Sequence, residues 1–238
     1  MTDLALLQAA IDEALQAADD ADAVTGVCAA CVARLPCDGA AVTVMASDSQ
    51  RQTVYASDEV IAAFERAQYS LGEGPSLVAF TQRRPALVSH IDDSATLARW
   101  PGLAREVANL DVGSVFCFPM RLGVINVGIC AFYRREPGTL STEDVSSVLE
   151  VLELTTLALL ELRDGDGTEH LLGRWLSGAG HSRRLVHQAT GMVMGQLGVP
   201  AEVAFARLRA SAYSQGRDVE QVATEIVNRS LRLDEDTG

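Results

Sequence analysis

Two hydrophobic periods run through the chain, near 3.6 at its ends and near 2 in its middle. Leu4, Leu7, Ile11, Leu15 and Ala18 share one face at helical spacing and predict an opening helix of roughly four turns. A second helical run, Val24 to Leu35, stops at Pro36, and Asp38-Gly39 introduces the β-rich Ala40 to Met45. The polar 46–50 stretch reads as a hairpin turn before Gln52 to Ala56, which makes two adjacent antiparallel strands. Asp58 is placed to cap a helix through Gln68 that turns Val60, Ile61 and Phe64 inward. Leu71-Gly72-Glu73-Gly74-Pro75 marks a tight, shaped loop, followed by a short helix at Ser76 to Thr81 and a strand at Pro85 to Ser89. His90 to Asn109 is a long connection with a helical second half that contains Trp100-Pro101. Gly113 to Leu122 and Val124 to Tyr133 then predict two long strands folded about Gly123.

From Ser141 to Arg163 the period returns to a helical one, with Glu143 and Asp144 in its first turn. Val145, Leu152 and Leu159 are spaced by seven, as are Val148, Thr155 and Leu162, so the seam resembles about two and a half heptads. Such a helix either covers its own sheet or meets a partner; the expectation here is that it packs with the first helix and with the same pair from a second chain. The polar 164–168 stretch and Ser177-Gly178-Ala179-Gly180 bracket a linker with a short helix. Arg183 to Leu197 and Ala204 to Arg209 form two further helical segments punctuated by Gly198 and Pro200, and a third runs from Asp218 to Arg232. In this stretch Leu185, Ala189, Val193, Phe205, Leu208, Ala212, Val222 and Ile226 are read as the core of a three-helix bundle. Ala189 and Gly191 are assigned to close helix contact.

Charge sharpens this division. The whole chain carries -13, yet Arg183 to Arg217 holds five arginines against the single acid Glu202. Any nucleic-acid binding must therefore be confined to that local patch, because an acidic surface elsewhere repels phosphate. All 19 basic residues are arginine, a preference that reads as genome composition rather than function. Arg183, His187, Thr190 and Met194 lie at i, i+4, i+7 and i+11 and line one side of the first of these helices. Arg207 and Arg209 point roughly 200° apart, so one of them is expected in an ion pair, with Glu225 or Asp218. Arg217 is left open between the two roles.

Other chemistries find little footing. No uninterrupted apolar run reaches about 18 residues, and the N-terminus lacks a basic start and apolar stretch, so the chain is expected to be cytoplasmic and off the membrane. Cys28, Cys31, Cys37, Cys117 and Cys130 are an odd set, which favours reduced thiols over a disulfide framework. Cys28-x-x-Cys31 has no matching second pair, so buried small residues are preferred to a zinc or redox site. His90, His170, His181 and His187 show no metal-helix spacing, and no phosphate loop or nucleophile motif is present. The expectation is a protein that is not an enzyme and needs no cofactor.

The order of elements over residues 1–163 resembles a GAF sensory domain. More specifically, Leu71-Gly72-Glu73-Gly74-Pro75, Arg99-Trp100-Pro101, Phe118-Pro119-Met120-Arg121-Leu122-Gly123 and Tyr133-Arg134-Arg135 resemble the GAF domains that actinobacterial regulators place ahead of an ANTAR module. The C-terminal stretch resembles ANTAR itself, whose usual Ala-Lys-Gly-x-x-Met reads here Ala189-Thr190-Gly191-Met192-Val193-Met194. The family's Ala-Phe-x-x-Leu-Arg-x-x-Ala reads Ala204 to Ala212, and its closing motif reads Val219 to Val227. Thr190 stands where lysine is usual, and Ser76-Leu77-Val78 where the GAF relatives commonly have Cys-Leu-Asp.

The resemblance implies an α+β chain: a GAF-type antiparallel sheet flanked by helices at 1–163, a linker at 164–180, an all-α three-helix ANTAR bundle at 181–233 and an acidic tail at 234–238. It implies a transcription antitermination regulator that binds RNA hairpins in tandem as a homodimer through the GAF-flanking helices, under a small-molecule signal. RNA contact is assigned to Arg183, Arg184, His187, Gln188, Thr190 and Arg209, which supply cations and hydrogen-bonding groups for splayed loop bases and phosphates. The alternative is a ligand-sensing GAF dimer whose ANTAR-like tail binds protein or DNA.

Overall fold

The computed structural model describes residues 4–16, 20–45, 51–122, 125–161 and 181–233. The expected turns at 46–50 and around Gly123, the linker at 164–180 and the acidic tail lie outside these residues. Helices α1 (Leu4–Leu15) and α2 (Asp20–Val32) lead into strands β1 (Gly39–Met45) and β2 (Arg51–Ala56). After them come α3 (Glu59–Leu71), α4 (Pro75–Gln82), β3 (Ala86–Val88), α5 (Ser94–Arg99) and α6 (Pro101–Val107). Strands β4 (Ser114–Leu122) and β5 (Ile125–Arg134) precede the long α7 (Thr142–Glu161). The C-terminal helices are α8 (His181–Leu197), α9 (Ala201–Ser214) and α10 (Val219–Val227).

The strands form one antiparallel sheet in the order β2-β1-β5-β4-β3. Successive side chains on a strand point to opposite faces, so each central strand feeds two cores. Val42, Phe116, Phe118, Cys130 and Phe132 pack with α1, α2 and α7 on one face. Ala41, Cys117, Ala131 and Tyr133 pack with Ile61, Phe64 and Leu103 from α3 and α6 on the other. With helices on both faces the central strands have no solvent side, which is why they read as near-continuous apolar runs.

The α7 seam turns inward. Val148, Leu152 and Thr155 are buried against α2 and the sheet, while Leu149 and Leu157 remain 52% and 37% exposed. Among the described residues the heptad-like seam is thus used within the chain, and Leu149 and Leu157 lie outside it. The connection at 90–109 holds two short helices rather than one, because Trp100-Pro101 breaks the run: Trp100 closes α5 and Pro101 opens α6. Cys28, Cys31, Cys117 and Cys130 are buried, and burial pushes the Cys28 and Cys31 thiols up, which keeps them protonated and unreactive.

Candidate nucleic-acid interface

The C-terminal bundle is built by three amphipathic faces. Val186, Ala189 and Val193 of α8, Ala204, Phe205, Leu208 and Ala212 of α9, and Val219, Val222, Ala223 and Ile226 of α10 enclose one apolar core. Gly198 adopts φ 65 after α8 and donates its N–H to the Met194 carbonyl at 2.9 Å, a helix end that side-chain-bearing residues adopt only with strain. At the start of α10 the Gln221 side chain accepts the Asp218 N–H at 3.3 Å. Arg217 donates twice to Glu225, at 2.6 and 3.0 Å, a bidentate pair that links the α9–α10 turn to α10. The pair holds the Glu225 carboxyl below its ordinary range, mainly through the hydrogen bond from Arg217. Glu225 is therefore the partner of Arg217.

Of the six residues assigned to RNA, the four whose side chains the structure describes do not form one surface. Arg183 and Arg184 lie in the first turn of α8, with side chains outside the described set. His187 is half-buried and Gln188 exposed on the same helix. Thr190 departs from the expected strip: it is 8% exposed, and its hydroxyl donates to the Val186 carbonyl at 2.8 Å. A threonine that satisfies its hydroxyl within its own helix is a packing residue. Gly191 is also corrected, since a Cβ there would meet nothing within 4 Å and the close helix contact belongs to the buried Ala189.

Arg209 faces the sheet domain. Its guanidinium lies over the Phe205 ring, 4.6 Å from the centroid, and beside Gly72 at the end of α3. Tyr69 of α3 belongs to the bundle's own core, with its ring 5.6 Å from that of Phe205. The Arg105 guanidinium reaches the Tyr213 hydroxyl at 3.4 Å across the same seam. A cleft of about 380 Å³ runs alongside, lined by Leu71, Glu73, Pro101, Arg209 and Tyr213 among others.

Sequence reasoning missed what stands behind this seam. Glu65 and Gln68, on the inward side of α3, are buried: Gln68 donates to Glu65 at 2.7 Å, Ser76 Oγ donates to Glu65 at 2.7 Å, and Thr43 Oγ1 donates to its other oxygen at 3.3 Å. Burial pushes the Glu65 pKa up, an effect that the hydrogen bonds from Ser76, Thr43 and Gln68 and the Arg51 charge partly offset. The one signal for this cluster was the glycine-rich loop itself, whose Ser76 follows directly.

The ANTAR domain family model matches residues 175–227. Residues 175–227 are an ANTAR domain. For the sheet, a solved structure with the same fold is the GAF domain of an Acinetobacter phosphoenolpyruvate-protein phosphotransferase, 11% identical at a TM-score of 0.50, covering 71% of this chain and 100% of that one. The GAF domain of the Coxiella burnetii phosphoenolpyruvate-protein phosphotransferase is 14% identical at a TM-score of 0.49, covering 66% and 92%. No curated protein matches the chain. The chain thus joins a GAF-fold domain to an ANTAR domain, as the motifs lead one to expect. Among the described residues no helix is long and apolar enough to cross a membrane, and no cluster of His, Cys, Asp or Glu is arranged to hold a metal ion.

Proposed function

We propose that the chain is a signal-responsive RNA-binding regulator, in which the ANTAR domain binds RNA hairpins to control transcription after initiation and the GAF domain governs that binding. The observation that carries this reading is the coincidence of the ANTAR match with the basic stretch of an otherwise acidic chain. A charge of -13 repels phosphate elsewhere, so the local arginines supply both the attraction and the orientation. Arg183, Arg184, His187, Gln188 and Arg209 are the contacts; Thr190 supports the helix that carries four of them.

Two hairpins on one RNA suit two ANTAR domains in a homodimer, because the second contact becomes intramolecular and gains effective concentration. Leu6, Leu149 and Leu157, exposed at 61%, 52% and 37% on α1 and α7, support self-association through these helices. A small-molecule signal acts by binding one arrangement of the domains better than the other.

Titration of the full chain with a two-hairpin RNA, the same RNA with altered loops, and duplex DNA, at two salt concentrations, tests the reading. Loop-dependent affinity that falls with salt is expected. His187→Ala and Arg183→Ala should weaken it; unchanged affinity in both would remove them from the contact. Preference for duplex DNA would favour the DNA-binding alternative instead.

A further inference from the structure

The C-terminal end of α3 is held from two sides. From within the sheet domain, the Ser76 N–H donates to Gln68 Oε1 at 2.8 Å, and Glu73 accepts the Leu103 N–H at 2.7 Å. These bonds fix the 71–75 loop to α3 and α6. From without, the ANTAR domain closes over the same place. Tyr69 is only 5% exposed because Phe205 lies against it. The Arg51 guanidinium sits 4.8 Å from the Tyr69 centroid, and Arg209 sits 4.6 Å from that of Phe205. Guanidinium, ring, ring and guanidinium thus follow one another across the seam. Gly72 ends α3 at φ 68, and a Cβ on it would overlap the Arg209 guanidinium.

We propose that this contact is an autoinhibitory clasp, in which Tyr69 occupies the place beside Phe205 and Arg209 that an unpaired RNA base takes when the ANTAR domain swings open. The inference rests on the RNA-binding reading above and adds the residues that regulate it. An aromatic ring next to a guanidinium is the chemistry that holds a splayed base by stacking. In the closed chain that ring is already covered by a tyrosine, and the arginine is seated against backbone. Clefts of about 380 and 520 Å³ flank the seam, lined by Ser70, Leu71 and Tyr213 among others. The loop that seats Arg209 is tied to the buried Glu65, Gln68 and Ser76, which gives the sheet domain a mechanical route to the clasp.

The test uses two full-length variants. Tyr69→Ala removes the ring; Gly72→Asn keeps a residue that tolerates the left-handed conformation but pushes Arg209 away. Each is measured for affinity to a two-hairpin RNA by fluorescence anisotropy and for overall dimensions by small-angle scattering, with circular dichroism as a check on folding. Both variants should expand the chain and bind RNA about tenfold more tightly than the natural sequence, a coupling of ordinary size. Expansion with unchanged or weaker RNA affinity overturns the clasp while leaving RNA binding intact. Failure of Gly72→Asn to expand a folded chain also overturns it. If neither the natural chain nor an expanded variant binds RNA, the RNA-binding reading falls, and the clasp with it.

Discussion

The two domains bury different things. The sheet domain encloses a carboxylate, an amide and two hydroxyls, Glu65, Gln68, Ser76 and Thr43, between α3 and the strands. The ANTAR core is apolar; among the described residues its one buried polar side chain, Thr190, bonds back to its own helix. Size accounts for the contrast. A five-stranded sheet covered on both faces has interior to spare for a satisfied polar network, whereas three short helices bury a smaller share of their surface. The bundle also draws on its neighbour, since Tyr69 completes its core. The smaller domain is thus completed by a side chain of the larger one, while the larger one satisfies its buried polar groups internally.

Unfolding one domain alone should separate the two most strongly. Phe132→Ala removes a fully buried ring that stacks on Phe118 at 5.7 Å and should cost the sheet domain about 3–5 kcal/mol. Leu208→Ala should cost the bundle about 2–5 kcal/mol while amide exchange in β4 and β5 stays slow. If Leu208→Ala releases the sheet amides too, the domains are one cooperative unit.

A smaller effect separates their pH responses. The Glu65 pKa is raised, so the folded domain holds its proton after the unfolded chain has lost it. Stability is then fully present below the ordinary carboxylate range near ~4.3 and falls as pH rises from there toward the raised value, by at most about 1.4 kcal/mol per pH unit. Urea titrations across this window should show the slope in the natural chain and lose it in Glu65→Gln, with no counterpart traceable to the ANTAR core.

Smaller still is Thr190→Val. The hydroxyl bonds only a carbonyl of its own helix, so its loss should cost under about 1 kcal/mol and leave RNA affinity unchanged. A clear fall in affinity would return Thr190 to the contact surface. Arg217→Ala should give the smallest change, a slight drop in melting temperature, because the pair with Glu225 is solvent-accessible. A large drop would show that the α9–α10 turn depends on it.

Much of this molecule is legible along the chain. Alternation at Phe116, Cys117 and Phe118 sends neighbours into opposite cores, and Asp58 caps α3 as its position predicts, accepting the Ile61 N–H at 3.0 Å. The apolar period up to Ile226 specifies the bundle, with Val186 rather than the expected Leu185 turned into its core because the adjacent residue is the one that faces α9 and α10, and the motifs superposed on it identify the ANTAR domain. These features are local, set by repeats of 2 and 3.6 and by residues within one turn of each other.

Tertiary structure alone decided the rest. Helical spacing placed Thr190 on a polar strip, but the packing of α8 against α9 and α10 covers that edge. Heptad spacing in α7 did not say which body the seam meets, and the chain's own sheet and α2 cover its described positions Val148, Leu152 and Thr155. Nothing in the order of residues brings Tyr69 to Phe205, or Arg209 to Gly72, because those pairs lie more than a hundred positions apart and meet only when two finished domains close on one another. Sequence by itself determined each domain and its signature; how the two domains face each other, and hence which signature residues are free to act, is a property of surfaces that exist only after folding.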